Sequence, residues 1–255
     1  AGAALTPHGR EVVCHNLWMK GLAAIELDFQ NRAYIRAMNQ GIVFSQGRIL
    51  ATLSLMRFWP YAGDLLPVME RDLRAMIEAY VLPDGGTDEG IGYWHYTFNT
   101  ILPVMAALAR RQGVAVENYL PPVLRNSSDF LQTLLSTAGE IGTGIPIGDA
   151  HTRPLGPTPF LLLGAAGDSA AGALGASMTA MSPERCGVFD FIYGPDERTP
   201  VPLVFKPFLR LNHCGYLASR RPDAQLREVK FLLVGGKLNA SHAHEDRGSF
   251  VLEAG

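Results

Sequence analysis

Apolar positions recur every three or four residues through the first two thirds of the chain. Val12, Val13, Leu17, Leu22, Ile25 and Leu27 predict a helix over 11–29. Ile42, Phe44, Ile49, Leu50, Leu53, Met56 and Trp59 predict a second over 42–59. The pattern continues over 64–81, 93–111, 116–136 and 159–181, with Pro103, Pro121 and Pro122 interrupting two of these. Glycine and proline fill the connections, as in Leu82-Pro83-Asp84-Gly85-Gly86. Past Pro183 the texture changes to short β-rich runs at 201–205, 214–220, 228–234 and 249–254. Turns such as Arg221-Pro222-Asp223 and Gly235-Gly236 split them. Helices first and strands afterwards predict a mainly α, then β chain with segregated layers rather than alternating βαβ. A helical domain is expected over 1–190 and the first strands of an antiparallel sandwich over 191–255. So few strands make an incomplete sandwich, and the chain is expected to be part of a longer protein.

Composition narrows the class. Of 255 residues, 47% are hydrophobic and 18% charged, enough for a sizeable core and against wholesale disorder. The net charge of −2 supplies no basic field for nucleic acid or an anionic membrane. Arginines far outnumber lysines, a bias that suits a carboxylate or sulfate ligand and that genomic base composition also produces. Cys14, Cys186 and Cys214 are widely spaced, so neither a disulfide framework nor a cysteine zinc site is expected. The longest apolar stretch, 160–178, is broken by Asp168 and predicts no membrane span. The first residues, Ala-Gly-Ala-Ala, show no export signal.

Three segments carry candidate chemistry. In Ser241-His242-Ala243-His244-Glu245-Asp246-Arg247-Gly248-Ser249-Phe250, an extended backbone points His242, His244 and Asp246 to one side. Two imidazoles and a carboxylate can bind a metal, or pair a catalytic imidazole with an anchoring ligand; a solvated polar edge strand is the plain alternative. The loop Asp84-Gly85-Gly86-Thr87-Asp88-Glu89-Gly90 runs into Ile91-Gly92-Tyr93-Trp94-His95-Tyr96, a helix start with three aromatics and a histidine. Such rings stack on sugar faces or pack the helix on its neighbours, and a tyrosine hydroxyl can act as acid or base. Met38-Asn39-Gln40-Gly41 opens an amphipathic helix and by itself reads as a helix cap.

Together these segments resemble the heparinase II/III-like polysaccharide lyases. The resemblance rests on Asn39-Gln40-Gly41, on the Asp-Gly-Gly loop leading to Gly92-Tyr93-Trp94, and on the HxHxDxGSF run from His242 to Phe250. Ile147-Gly148-Asp149-Ala150 and Cys214-Gly215-Tyr216 add to it. It implies an incomplete α/α toroid joined to a β-sandwich, with acidic polysaccharide or oligosaccharide as partner and an exported, periplasmic or secreted location. Asn39 and Gln40 would donate to the uronate carboxylate, and Tyr93 would serve as acid or as both acid and base. His242 would assist proton abstraction or neutralisation, and His244 would be one ligand of a structural zinc. The family often has histidine where this chain has Gln40, an amide that donates but is no base, which makes Tyr93 the main proton carrier. The family's remaining zinc ligands are not evident in this chain.

Around that core, Trp94, His95 and Tyr96 are expected to line the cleft, Glu89 to accept sugar hydroxyls, and Arg48 to meet an acidic sugar. The implied reaction is β-elimination beside a uronate. Uronate epimerisation on the same fold and non-catalytic binding of acidic glycan are the alternatives.

Overall fold

A computed structural model describes residues 5–195, 203–236, 242 and 246–254. Helices dominate and a four-stranded antiparallel sheet follows them, the mainly α, then β order that the pattern predicts. The chain groups into two compact units, Ala1–Tyr80 and Val81–Gly255, so the change of texture near residue 190 lies inside the second.

Among the described residues the first unit is built of helices. α1 (Pro7–Asn16) and α2 (Ala23–Asn31) are joined by a π-helical segment, Leu17–Leu22. A 3₁₀ turn, Ala33–Ala37, leads into α3 (Asn39–Leu55), and another, Pro60–Leu65, into α4 (Leu66–Tyr80). α4 buries Leu66, Met69, Leu73, Met76, Ile77 and Tyr80, the 3-and-4 spacing of one helical face. Ile42, Ile49 and Leu55 of α3 share that core.

In the second unit α5 (Gly90–Gln112) is the long central helix, closed at Gly113 in the left-handed region (φ 68°). α6 (Val116–Tyr119), a 3₁₀ turn and α7 (Ser127–Leu134) follow where one helix over 116–136 is expected. Pro121 and Pro122 break it, since neither can donate to a helical ladder. Two short strands, β1 (Thr143–Gly144) and β2 (Arg153–Pro154), pair around the loop 145–152. The helix expected over 159–181 divides into α8 (Thr158–Ala165) and α9 (Ser169–Met181) at Gly167 (φ 100°) and Asp168. Asp168 caps α9 through Ala171 N–H (3.1 Å) and accepts from Ser128 N–H (3.2 Å), tying α9 to α7. Gly164 and Gly172 bring the α8 and α9 backbones together so closely that a Cβ on Gly172 would stand 2.9 Å from Gly164 Cα. α10 (Val188–Tyr193) ends the helical part.

β3 (Phe208–Leu211), β4 (Tyr216–Pro222), β5 (Glu228–Val234) and β6 (Phe250–Ala254) form the sheet in sequence order. Leu209, Leu211, Tyr216, Ala218, Leu232 and Val234 alternate onto its buried face. The strand expected over 201–205 is absent where it is described, at 203–205; there Val204 is exposed and finds no strand partner.

That buried face also carries two cations. Arg220 donates to Gln132 O (3.0 Å) and Leu135 O (3.1 Å), and Lys230 Nζ bonds the same Leu135 carbonyl, so both meet the carbonyl end of α7. Burial pushes the Lys230 ammonium down to about 7, and Arg220 adds to the effect against Glu253 and Glu228. An unfolded lysine keeps its proton to about 10.4. Between these values the unfolded chain binds more protons than the folded one, so stability rises with pH there and the full penalty applies below 7. Urea denaturation at pH 7, 8 and 9 should show wild type gaining stability relative to Lys230→Met, by at most about 1.4 kcal/mol per pH unit. A constant difference between the two proteins would rule out this linkage.

Candidate active site

The Asp-Gly-Gly loop is a fastener. Asp84 Oδ2 accepts from His213 N–H (2.8 Å) and Cys214 N–H (3.1 Å), and the Cys214 thiol donates to Oδ1 (2.9 Å). Burial, with Asp84 beside it, pushes that thiol far above its ordinary pKa, so it stays a donor. Gly85 sits at φ 76° and its carbonyl accepts from Ser127 Oγ (2.8 Å). A Cβ on Gly86 would lie 2.6 Å from Cys214 Sγ and nearer still to Phe130. The start of α5 is thereby fixed to α7 and to the corner before β4.

From that start Tyr93 and Trp94 diverge, because neighbouring helical residues point about 100° apart. Trp94 is fully buried among Phe98 (centroids 4.9 Å), Phe130 and Phe160 (6.3 Å each). Its faces are spent on packing, which corrects the expectation that it stacks on sugar. His95 is buried too, and Nε2 lies 3.0 Å from Gly156 O; a carbonyl only accepts, so Nε2 carries the proton. Burial pushes this imidazole down to about 4, so it is neutral near pH 7 and supports the fold rather than meeting substrate. Glu89 is likewise buried, whereas Tyr96 is exposed and open to a ligand.

Tyr93 is half-buried, and its ring stacks on His242 with centroids 4.0 Å apart and planes 11° from parallel. Burial raises the phenol above its ordinary pKa, and the charges of Asp149 and Glu89 and the neighbouring Tyr96 raise it further. His242 Nδ1 lies 3.1 Å from Asp149 Oδ2, and Asp149 N–H donates to His242 O (3.0 Å). With 45% of the Asp149 side chain exposed, this contact is worth at most about 1 kcal/mol. Asp246 supports the fold, as its Oδ2 accepts from Gly148 N–H (3.1 Å).

The backbone here differs from the expected strand. His242 adopts the left-handed region (φ 56°), Asp246–Ser249 form a turn, and β6 begins only at Phe250. The polar residues described here, His242 and 246–249, have no apolar face to bury, so nothing fixes them as a strand. His244 lies outside the described residues. Among the described residues no three His, Cys, Asp or Glu side chains gather to hold a metal ion, so no step below runs through zinc.

In the first unit, Asn39 is the first residue of α3, not its cap, which is Met38. Asn39 is buried, and neither its Oδ1 nor Gln40 Oε1 has a hydrogen-bond partner among the described residues. Gly41 is required because a Cβ there would run into the Ile35 carbonyl and stand 3.1 Å from Met76 Sδ. Arg48 is buried and paired with Glu26 and with Asp72 (3.0 Å), so its charge is neutralised inside the helices instead of facing a sugar.

The structure thus brings Tyr93 and His242 together and adds Asp149, which belongs to a motif of the resemblance but has no role assigned by it. The positive φ of Gly148 (64°) and the Gly-Asp pair are the signals that mark this loop. No protein-family model and no curated protein sequence matches the chain.

Proposed function

We propose that the chain is a polysaccharide lyase that cleaves uronate-containing polysaccharide or oligosaccharide by β-elimination, on the frame of an incomplete α/α toroid joined to a β-sandwich. The observation that carries the reading is the Tyr93–His242 stack, which unites two motifs far apart in sequence. A phenol held above its ordinary pKa stays protonated near neutral pH and so has a proton to give, and an imidazole beside it can take one.

In the proposed step the C5–H bond breaks and its proton passes to His242. The electron pair becomes the C4–C5 double bond as the C4–O bond breaks, and the departing oxygen takes the Tyr93 proton. The C5 proton is very weakly acidic while the uronate carboxylate is charged, so that charge must be met by donors. The resemblance to heparinase II/III-like lyases gives this task to Asn39 and Gln40.

Ultraviolet absorbance of the conjugated unsaturated uronate tests the reading directly. Incubation with alginate, heparan-type and chondroitin-type polymers should give rising absorbance with one of them. A flat trace from folded protein across the panel would overturn the lyase reading. Isotope exchange at C5 would then indicate epimerisation, and binding without exchange a glycan-binding module.

A further inference from the structure

Both partners of the Tyr93–His242 stack are held by one loop. Asp149 meets His242 twice, through its backbone N–H on the histidine carbonyl at 3.0 Å and through Oδ2 at 3.1 Å from Nδ1. From the other side, Asp246 grips the preceding residue through Gly148 N–H. The first turn of α5 lies against the same loop, since a Cβ on Gly92 would stand 2.6 Å from Ala150 Cβ. A carboxylate accepts only, so its imidazole partner keeps a proton on Nδ1 and presents Nε2 as the acceptor nitrogen.

We propose that Asp149 is a positioning residue of the proton-transfer pair, holding the His242 ring against Tyr93 with Nε2 turned to accept. Its chemistry rests on the lyase reading; its geometry rests on the contacts alone. The titratable groups facing Tyr93 are Asp149, Glu89, Tyr96 and His242. Removing the Asp149 charge leaves burial, Glu89 and Tyr96 in force but withdraws one cause of the raised phenol, so Tyr93 must then lose its proton at lower pH.

Asp149→Asn keeps an oxygen for Nδ1 and removes the charge, whereas Asp149→Ala removes both. Tyr93 is followed by NMR of 13Cζ-labelled tyrosine, assigned with Tyr93→Phe, and turnover is measured on whichever uronate polymer wild type cleaves. The titration of Tyr93 should move down in both variants. Turnover should fall about 100-fold in Asp149→Ala with KM within twofold, and be partly rescued in Asp149→Asn. Titration at the wild-type position in both variants overturns the proposal, as does turnover within twofold of wild type in Asp149→Ala. If wild type cleaves no uronate, the lyase reading fails by itself and the Tyr93 titration still decides whether Asp149 acts on the pair.

Discussion

Tyr93→Phe is expected to lose turnover about 1,000-fold or more while melting within a degree or two of wild type. The change removes one oxygen from a half-buried ring and leaves its stack on His242 intact. Little stability depends on that hydroxyl, whereas the leaving oxygen depends on its proton. His95 cannot substitute, being buried, neutral and bonded to Gly156. Initial rates of unsaturated-product formation, read beside thermal melts, separate the two effects. A variant within tenfold of wild type would remove Tyr93 from the role of acid.

The largest structural effect is expected at Gly86. An added methyl group would lie 2.6 Å from the Cys214 sulfur and also meet the ring of Phe130, which is fully buried and cannot swing aside. Overpacking of this kind costs about 3 kcal/mol. For a unit of this size that lowers the melting temperature by about 6–12 °C. Gly21→Ala is the control, because a Cβ there meets nothing within 4 Å. Equal melting of the two variants would mean that the loop gives way at little cost.

The helical frame was legible because burial repeats with the helix. In α4 every buried side chain falls on the periodic positions, and β5 spans the residues its apolar run marks. At 203–205, the described part of the run before Pro207, no strand forms, because apolar β-branched residues do not make one without a partner. β3 forms instead three residues past the end of that run, where Phe208–Leu211 pair with 216–219. At the site, residue types pointed to Tyr93 and His242, but type alone does not reveal which side of a helix faces the core. Hence Trp94 and Arg48 proved to be packing and an internal ion pair. Asp149 sits in a Gly-Asp pair that marks a turn, but its partner lies 93 residues along the chain, so nothing local reveals its role.

The Asp84 carboxylate has an implication for ancestry. It is the lock between the loop that launches α5 and the corner that launches β4. A recombination event that grafted the strands onto another helical frame as a cassette would leave two amides and a thiol at that corner without their acceptor. It would also cost α5 one of the anchors that set the heading of Tyr93. Strand region and helical region are therefore expected to be inherited together, diverging at their surfaces while this joint stays unchanged.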